Sequence, residues 1–537
     1  MMTDGAAEDA ARGVGGGGCG ATRTYVCPAR DQLFLMPVSM RDWLEEGHLA
    51  HFVLDVVGQM DTSALHRRPG GCPGRPPYEP EMMLALLLYA YCCGIRSSRR
   101  IEAHCQTDAA FKVICGGLVP DHATIARFVV DHELALEGLF VEGVRLCAVA
   151  GLADLSVVAL DGTKIAADAS LARNRDTDWI RRQIAGLMAL TAEDEPSTAA
   201  VGTEALPGVE PVAEISSPTG RLARLTAALE VIKAQDTAAA EAAARQSQAA
   251  AAAAERGRLQ IGRKPKDPHA ALARAEVEHA VALKRVEDLK AERERRDAAA
   301  ARGENAAGPR LRIDKAQRTL ESADQRLLAA RTALQTAPAA ARQVNVTDPD
   351  SRIMTTKDGW VQGYNAQAIV NPHQIVLACD VSQDASDVQL YEPMNQTLNR
   401  TLTTAGITTE IGLELADAGY CSEHNLTCPG PDRLIATTKD HKQRRAAREL
   451  GHTNGPPPPD ATPVEEMEHL LRTPQGHAAY KQRSQLIEPV FGDRKHNRQI
   501  RSFRRRGLDA VRSEWAFINL AGNLLKLHQH RSAAAIA

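Results

Sequence analysis

The chain has 537 residues, of which 44% are hydrophobic, and a formal net charge of −3. A chain of this length can form several domains, on the order of three or four, and its near-neutral charge excludes attraction of nucleic acid by the surface as a whole, so any such binding needs local basic patches. The 11 cysteines include no CxxC pair and no Cys/His spacing typical of zinc, which argues against a structural zinc site and predicts a reduced, cytoplasmic protein.

The N-terminal segment, residues 1–30, is rich in glycine and begins with acidic residues in place of a basic start and an apolar core. This composition predicts a disordered tail and excludes a signal peptide. The most apolar run, residues 82–93, spans 12 positions, well short of the roughly 20 that a helix needs to cross a bilayer. We therefore expect no membrane partner.

Residues 31–150 consist of apolar helical segments separated by Gly, Pro and basic breaks, which predicts an all-helical domain. Within this domain Asp121 has the position of an N-cap before a short helix. The polar face of that helix carries His122, Thr124 and Arg127. Small and polar side chains are suited to a recognition helix, so we expect this domain to bind DNA through these residues.

A short apolar run, residues 157–160, is typical of a strand and ends at Asp161-Gly162. An acidic residue at the carboxyl end of a strand is a common active-site position in α/β sheets. A plain Asp-Gly turn remains the alternative interpretation.

Residues 173–342 differ in composition, being rich in Ala, Arg, Glu and Gln with few aromatic side chains. Apolar residues recur there with the heptad and 3,4,3 spacing of coiled coils. Prolines bound three expected antiparallel helices, at about residues 219–255, 269–302 and 310–336. We interpret the segment as a helical coiled-coil insertion whose charges form solvated faces, and a contact with DNA or with a second subunit stays open.

Four more strands and a helix are predicted beyond the insertion. The first two alternate about an Asn-Pro turn, as in a hairpin, and the third ends at a second acidic residue, Asp417. The strands are expected at residues 364–370, 375–381, 411–416 and 433–437, and the helix at residues 390–405. A basic, Pro-rich loop, residues 440–478, follows. The catalytic domain is thus expected to combine residues 151–172 with residues 343–530.

The last predicted helix carries a third acidic residue, Glu488, at the edge of an apolar face. A tyrosine and several basic side chains lie close to it in sequence: Tyr480, Arg483, Arg494, Lys495 and Arg498. Such a basic run suits a polyanion. A solvated surface glutamate is the alternative interpretation.

This order of strands and acidic residues predicts an α/β ribonuclease-H-like sheet. In such a sheet the first and fourth strands are neighbours, so Asp161 and Asp417 would meet and Glu488 would close the site from its helix. Clustered carboxylates repel one another unless cations compensate, and oxygen ligands select Mg²⁺ or Mn²⁺. Two such ions, about 3.5–4 Å apart, would act on the attacking and leaving oxygens of a phosphodiester. We therefore expect these three catalytic residues to be the metal ligands.

Four blocks of the chain, taken in order, resemble those of bacterial insertion-sequence transposases of the DDE type, in the branch with a Tyr/Arg/Glu/Lys signature: LDGTKI, VQGYNAQAIV, LADAGY and YKQRSQLIEPVFGDRK. Segments of residues 32–128 resemble the helical DNA-binding domain of this family. The resemblance implies a DNA transposase that binds the terminal inverted repeats of an insertion sequence and catalyses metal-dependent cleavage and strand transfer into target DNA. It also implies a homodimer on DNA, in a bacterial cytoplasm and associated with the nucleoid when acting.

The resemblance further implies that Tyr480, Arg483 and Lys495 contact phosphates near the transposon end. The family signature has three residues between Arg and Glu, whereas this chain has four, residues 484–487. One extra residue rotates Arg483 by about 100° relative to Glu488 on a helix, which leaves the role of Arg483 the least defined. The spacing between Glu488 and Lys495 agrees with the signature.

Other functions remain possible on the sequence alone. A DNA-binding regulator would explain the helical domain and the basic run, but not two acidic residues at strand ends. An inactive or DNA-binding-only derivative of a transposase stays open. A glycoside hydrolase needs aromatic platforms for sugar rings, and only 4% of the residues are aromatic. A metal-dependent DNA nuclease without strand transfer would share the same site.

Overall fold

The computed structural model describes residues 39–66, 77–193, 218–255, 268–302, 312–336, 343–438, 445 and 451–536. The expected N-terminal tail, residues 1–30, lies outside these ranges. None of the helices in the described ranges combines the length and the apolar character that crossing a membrane requires.

The first part of the described chain is helical. Its α-helices are α1 (Leu49–Val57), α2 (Pro80–Cys92), α3 (Ser98–Thr107), α4 (Ala109–Ile114), α5 (His122–Asp131) and α6 (Glu133–Val149). Helix α2 is apolar around its whole circumference and is correspondingly buried on every side. Helix α5 begins at its predicted cap, because the Asp121 side chain accepts a hydrogen bond from the Thr124 backbone nitrogen over 2.9 Å.

A mixed sheet forms the centre of the molecule. Its strands are β1 (Val157–Ala166), β4 (Arg352–Thr356), β5 (Gly359–Val370), β6 (Val376–Ser382), β7 (Leu413–Ala416) and β8 (Asp432–Ile435). Strand β1 pairs antiparallel with β5 and parallel with β7, β8 continues parallel to β7, and β6 pairs antiparallel with β5. The resulting order, β6-β5-β1-β7-β8, agrees with the predicted ribonuclease-H-like sheet, and the predicted neighbours β1 and β7 do lie side by side.

Strand β1 is longer than the sequence predicts. It does not end before Asp161 but continues to Ala166, because β5 remains its antiparallel partner throughout. Its parallel pairing with β7 does end there, at Leu160 and Ala416. Asp161 therefore marks the point at which β1 extends beyond its neighbour. The additional strand β4, which the sequence analysis did not predict, pairs with the first part of β5.

The insertion leaves the sheet through a two-stranded ribbon of β2 (Asn174–Asp176) and β3 (Gln343–Asn345). Its helices are α7 (Thr177–Glu193), α8 (Pro218–Glu255), α9 (Pro268–Ala301) and α10 (Ile313–Thr336). Helices α8 to α10 lie close to their expected bounds, whereas α7 was not predicted. Two ion pairs connect α9 to α10, Glu278–Arg326 and Glu276–Arg331. The residue number falls along α9 as it rises along α10, so the two helices are antiparallel. The base of the insertion has its own small core, which includes Ile180, Leu225 and Val344.

The C-terminal part contains α11 (Tyr391–Thr404), α12 (Glu423–Thr427), α13 (Pro463–Arg472), α14 (Pro474–Gly492) and α15 (Leu508–Ile536). Helix α13 lies within residues 440–478, the expected loop. Thr462 and Glu465 form a capping box there, and a proline occupies the first turn, so this part of the segment is helical.

Helix α15 joins the helical part to the sheet. On one side, Leu520 lies against Gly143 of α6, where a side chain in place of the glycine hydrogen would be 2.3 Å from the leucine. On the other side, the Trp515 ring nitrogen donates to the Gln367 carbonyl of β5 over 2.9 Å. The N-terminal helices and the sheet thus share one continuous hydrophobic core.

Candidate active site

Two aspartates meet at the edge of the sheet where β7 ends. Asp161 lies on β1, and Asp417 follows β7 directly. The Asp161 carboxylate accepts hydrogen bonds from the Gly162 backbone nitrogen over 2.8 Å and from Arg483 Nη2 over 2.8 Å. Asp417 Oδ1 accepts one from the Gly419 backbone nitrogen over 2.8 Å. The structure therefore brings together the two strand acids that the sequence predicts.

The electrostatics of this edge favour a bound cation. Burial raises the pKa of Asp161 to about 6; the charges of Asp417 and Asp387 add to this rise, and the Arg483 guanidinium opposes it. A carboxylate in this state gains stability from additional positive charge.

A third acidic residue at this edge, Asp387, was missed by the sequence analysis. It begins the turn between β6 and α11, and its Oδ1 accepts hydrogen bonds from three side chains. The donors are Asn365 Nδ2 at 2.7 Å, Gln367 Nε2 at 3.0 Å and Lys164 Nζ at 3.2 Å. The sequence gives only a weak signal for it, because Asp387 comes six residues after the predicted strand 375–381, whereas Asp161 and Asp417 follow their strands directly.

Two glycines provide the space for this cluster. At Gly162, a Cβ atom would lie 2.1 Å from Gln367 Nε2 and 2.9 Å from Asp387 Oδ1. At Gly419, a Cβ atom would lie 2.9 Å from Asp417 Oδ1 and 3.3 Å from Asp387 Oδ2. The Asp-Gly and Asp-Ala-Gly sequences are thus required by close packing around the acids.

Helix α14 directs Arg483 towards the aspartates. Its buried face comprises Arg483, Leu486, Ile487 and Val490, whereas Glu488 is exposed to solvent. Within the described ranges, no three acidic, histidine or cysteine side chains are grouped so that they could hold a metal ion. The structure therefore brings Arg483 to Asp161 and leaves Glu488 facing solvent.

Lys495 and Tyr480 lie at opposite ends of the same segment. Lys495 belongs to a π-helical turn, Asp493–Asn497, that follows α14, and its Nζ donates to the Lys164 carbonyl of β1 over 3.1 Å. Burial lowers the pKa of Lys495, and the nearby Lys357 lowers it further. Tyr480 is partly buried against the core. Lys495 is thus placed beside the strand that carries Asp161.

Two arginines that were expected to contact DNA are buried instead. Arg494 and Arg498 are only 3% and 8% exposed. Arg494 pairs with Asp493 over 2.6 Å, and Arg498 Nη2 donates to the Tyr91 carbonyl of α2 over 2.8 Å. Burial lowers the pKa of Arg494 to about 10, and the neighbouring Arg498 contributes. Because their side chains are enclosed, they connect the end of α14 to the core and do not form a basic surface in this conformation.

The expected DNA-contacting residues of α5 lie at the surface. His122 Nδ1 is 2.8 Å from a carboxylate oxygen of Glu102, and Thr124 Oγ1 donates to Asp121 Oδ2 over 2.7 Å. Arg127 is exposed. These hydrogen bonds lower the pKa of Asp121, with Thr124 as the main cause. The first turn of α5 is thereby held in place with an exposed polar face.

The donor chemistry of this edge fits a divalent cation of the Mg²⁺ type. Asp161 and Asp417 present carboxylate oxygens from adjacent strands, and such oxygens are the preferred ligands of hard cations. Burial, more than the charges of Asp417 and Asp387, raises the pKa of Asp161, and the Arg483 guanidinium opposes that rise.

Two protein-family models match the chain. The family described as Transposase domain (DUF772) matches residues 38–131, which contain α1 to α5. The family described as Transposase DDE domain matches residues 459–528, which contain α13, α14 and most of α15. No curated protein and no solved structure matches the chain. The helical part and the C-terminal part thus indicate the same activity independently.

Proposed function

We propose that this chain, a DDE-type insertion-sequence transposase by its two family matches, binds the ends of its element and cuts and joins DNA at Asp161 and Asp417. The observation that carries the proposal is the meeting of these two acids where the parallel pairing of β1 with β7 ends, with Asp161 in an ion pair with Arg483. Acids in this position serve catalysis in many α/β sheets.

The two aspartates are proposed to hold divalent metal, Mg²⁺ or Mn²⁺, as two ions. When bound, these ions activate the attacking oxygen and stabilise the leaving oxygen of a phosphodiester. We propose Glu488 as the third ligand because it lies on the helix whose buried face contacts β1. Its exposed side chain requires a change of rotamer or a shift of α14 to reach the aspartates.

Arg483 holds Asp161 in place before metal and substrate arrive. The guanidinium donates to Oδ2 over 2.8 Å, and both side chains are largely buried. If the Asp161 carboxylate held a cation, the Arg483 guanidinium would be available to a DNA phosphate, for which its fork of donors is well suited. The Arg483–Asp161 contact in the structure is therefore compatible with the phosphate contact that the Tyr/Arg/Glu/Lys signature implies for Arg483.

Two groups of side chains supply the proposed DNA contacts. Tyr480 and Lys495 lie on the segment that borders β1, and His122, Thr124 and Arg127 lie on the exposed face of α5. We propose that the first group contacts the transposon end next to the cut and the second reads the terminal repeat. Joining two ends requires two such sites, so we expect a homodimer on DNA, acting in the bacterial cytoplasm at the nucleoid.

Cleavage and joining of DNA by the purified chain test the proposal. Duplexes are taken from the DNA on each side of the gene, with scrambled duplexes of equal length as controls, and are incubated with Mg²⁺, Mn²⁺ or EDTA. The proposal expects metal-dependent cuts at the ends of inverted repeats, followed by joining to a second duplex. Cuts without joining would identify a metal-dependent nuclease, and no cut in any duplex would contradict the proposal.

A further inference from the structure

We infer that Asp387 is a positioning residue for DNA cleavage, which holds Lys164 next to the loop of Asp417 so that the ammonium group binds the phosphate being cut. The inference rests on the proposed function and assigns roles to two residues outside the three expected acids.

The two oxygens of Asp387 have different surroundings. Oδ1 accepts all three hydrogen bonds, from Lys164 Nζ, Asn365 Nδ2 and Gln367 Nε2. Oδ2 accepts none from the described residues and faces the backbone of Gly419, in the loop that carries Asp417. Asp387 is therefore anchored to β1 and β5 through one oxygen, at the side of the cluster opposite Arg483.

The amides that anchor Asp387 are themselves fixed. Gln367 Nε2 also donates to Asn365 Oδ1 over 3.0 Å, and Asn365 Nδ2 also donates to the Asp384 carbonyl over 3.0 Å. Gln367 Oε1 accepts a hydrogen bond from the buried Tyr420 hydroxyl. A carboxylate held by such a network has little freedom to turn, which is the property required of a residue that positions another.

Lys164 is held at both ends. Its backbone carbonyl accepts from Lys495 Nζ over 3.1 Å, and its own Nζ lies 3.2 Å from Asp387 Oδ1. The side chain is 17% exposed, so it is not fully enclosed by the protein. An ammonium group has three donors, and Asp387 is its acceptor among the described residues, which leaves donors available for phosphate oxygens.

The charges near the site explain why Lys164 needs Asp387. Arg483 already pairs with Asp161, and Lys495 is directed at a backbone carbonyl. An unanchored Lys164 ammonium would be drawn to Asp161 or Asp417, the carboxylates that the proposed reaction needs for metal. Asp387 supplies a separate acceptor for this cation, next to the loop that carries Asp417.

The test uses Asp387→Asn, Lys164→Met, the double variant and Lys164→Arg in the full chain. Asparagine retains an acceptor oxygen for the three donors and removes the charge. Asp384→Asn is the matched control, because Asp384 is an exposed acid in the same loop. The readouts are the cleavage rate at saturating DNA and Mn²⁺, and the DNA dissociation constant measured in EDTA.

We expect Asp387→Asn and Lys164→Met each to lower the rate at saturating DNA by about tenfold or more, the scale for losing one preorganised donor. The double variant should be no slower than the slower single variant, because both changes remove the same positioned ammonium group. Lys164→Arg should recover most of the rate, and Asp384→Asn should cut like the wild type. DNA binding in EDTA should change by less than about threefold in all variants, which a general loss of folding would not allow.

Multiplicative losses in the double variant, or a wild-type rate for Lys164→Met, would overturn the inference. If Asp387→Asn does not fold, the Lys164→Met and Lys164→Arg pair decides, since equal rates for the two would exclude a role for the charge. Failure of the proposed function is a separate result: the wild type itself would then show no metal-dependent cleavage.

Discussion

Arg483 Nη2 lies 2.8 Å from Asp161 Oδ2 and forms a largely buried ion pair between helix α14 and the central strand β1. This contact connects helix α14, which also carries Glu488, to Asp161, the first of the three predicted catalytic acids. Breaking such a pair leaves one charge buried and uncompensated, which costs more than the pair contributes when intact. The pair therefore links the stability of the fold to the charge state of the site.

Removal of the Arg483 charge should destabilise the metal-free protein. Arg483→Met is expected to lower the free energy of unfolding by about 3 kcal/mol, because Asp161 stays buried without a partner. The double variant with Asp161→Asn should recover much of this loss. Urea unfolding in EDTA measures both, with Arg400→Met, an arginine that bonds only locally to Thr397, as the control. If Arg483→Met changed the free energy of unfolding by less than about 0.5 kcal/mol, the ion pair would be energetically neutral.

Asp161 should make the metal-free protein less stable as pH rises through the acid range. The folded-state pKa is raised to about 6, whereas an unfolded aspartate titrates near about 3.9. The folded chain therefore holds a proton that the unfolded chain has lost, so this contribution to stability is complete below about pH 4 and lost by about pH 6. The free energies of unfolding of the wild type and of Asp161→Asn should diverge between these pH values. Parallel curves would contradict the raised pKa of Asp161.

Gly162 should not tolerate a side chain. Gly162→Ala places a methyl group 2.1 Å from Gln367 Nε2 and 2.9 Å from Asp387 Oδ1, which should cost about 1–3 kcal/mol by overpacking and displace the neighbouring Asp161. Gly186→Ala in α7 is the matched control, since nothing lies within 4 Å of its Cβ position. Thermal unfolding should show a loss for the first and no loss for the second. Equal melting temperatures would mean that the cluster can rearrange.

Lys495 and Arg494 are adjacent in sequence but should affect DNA binding differently. Lys495→Met should weaken binding and lower the slope of log affinity against log salt by about one, because one phosphate contact is lost. Arg494→Met should leave that slope unchanged and destabilise the fold, because Arg494 is buried at 3% exposure. Fluorescence anisotropy with salt titration separates the two. A reduced slope for Arg494→Met would place that arginine on the DNA surface.

The sheet was predictable because its signals are local. Apolar runs of strand type, a turn between two of them and acids directly after the first and fourth runs match a ribonuclease-H-like sheet. In that kind of sheet the first and fourth strands, here β1 and β7, are neighbours, which predicts the meeting of Asp161 with Asp417. The end of β1 was not predictable, because a charged residue such as Asp161 can remain in a strand that keeps an antiparallel partner.

The helix of the site shows where periodicity alone does not suffice. The extra residue between Arg483 and Glu488 predicts a rotation of Arg483 relative to Glu488 and leaves the role of Arg483 the least defined; in the structure Arg483 lies on the buried face and Glu488 faces solvent. Spacing gives only the relative rotation of the two residues, and the contact of α14 with β1 decides which of them faces inwards. The basic run likewise could not be divided into buried and exposed residues from its sequence. Arg494 is enclosed because Gly522 of α15 leaves space for its guanidinium.

Metal-dependent cleavage by variants of the two strand acids is the most direct test of the account. Asp161→Asn and Asp417→Asn should each abolish cleavage of duplexes from the flanking DNA in Mg²⁺ and Mn²⁺, while binding of the same duplexes in EDTA stays close to that of the wild type. Glu488→Gln, assayed alongside, determines whether the exposed glutamate is the third ligand. Normal cleavage by both aspartate variants would contradict the central claim that these two residues form the catalytic site.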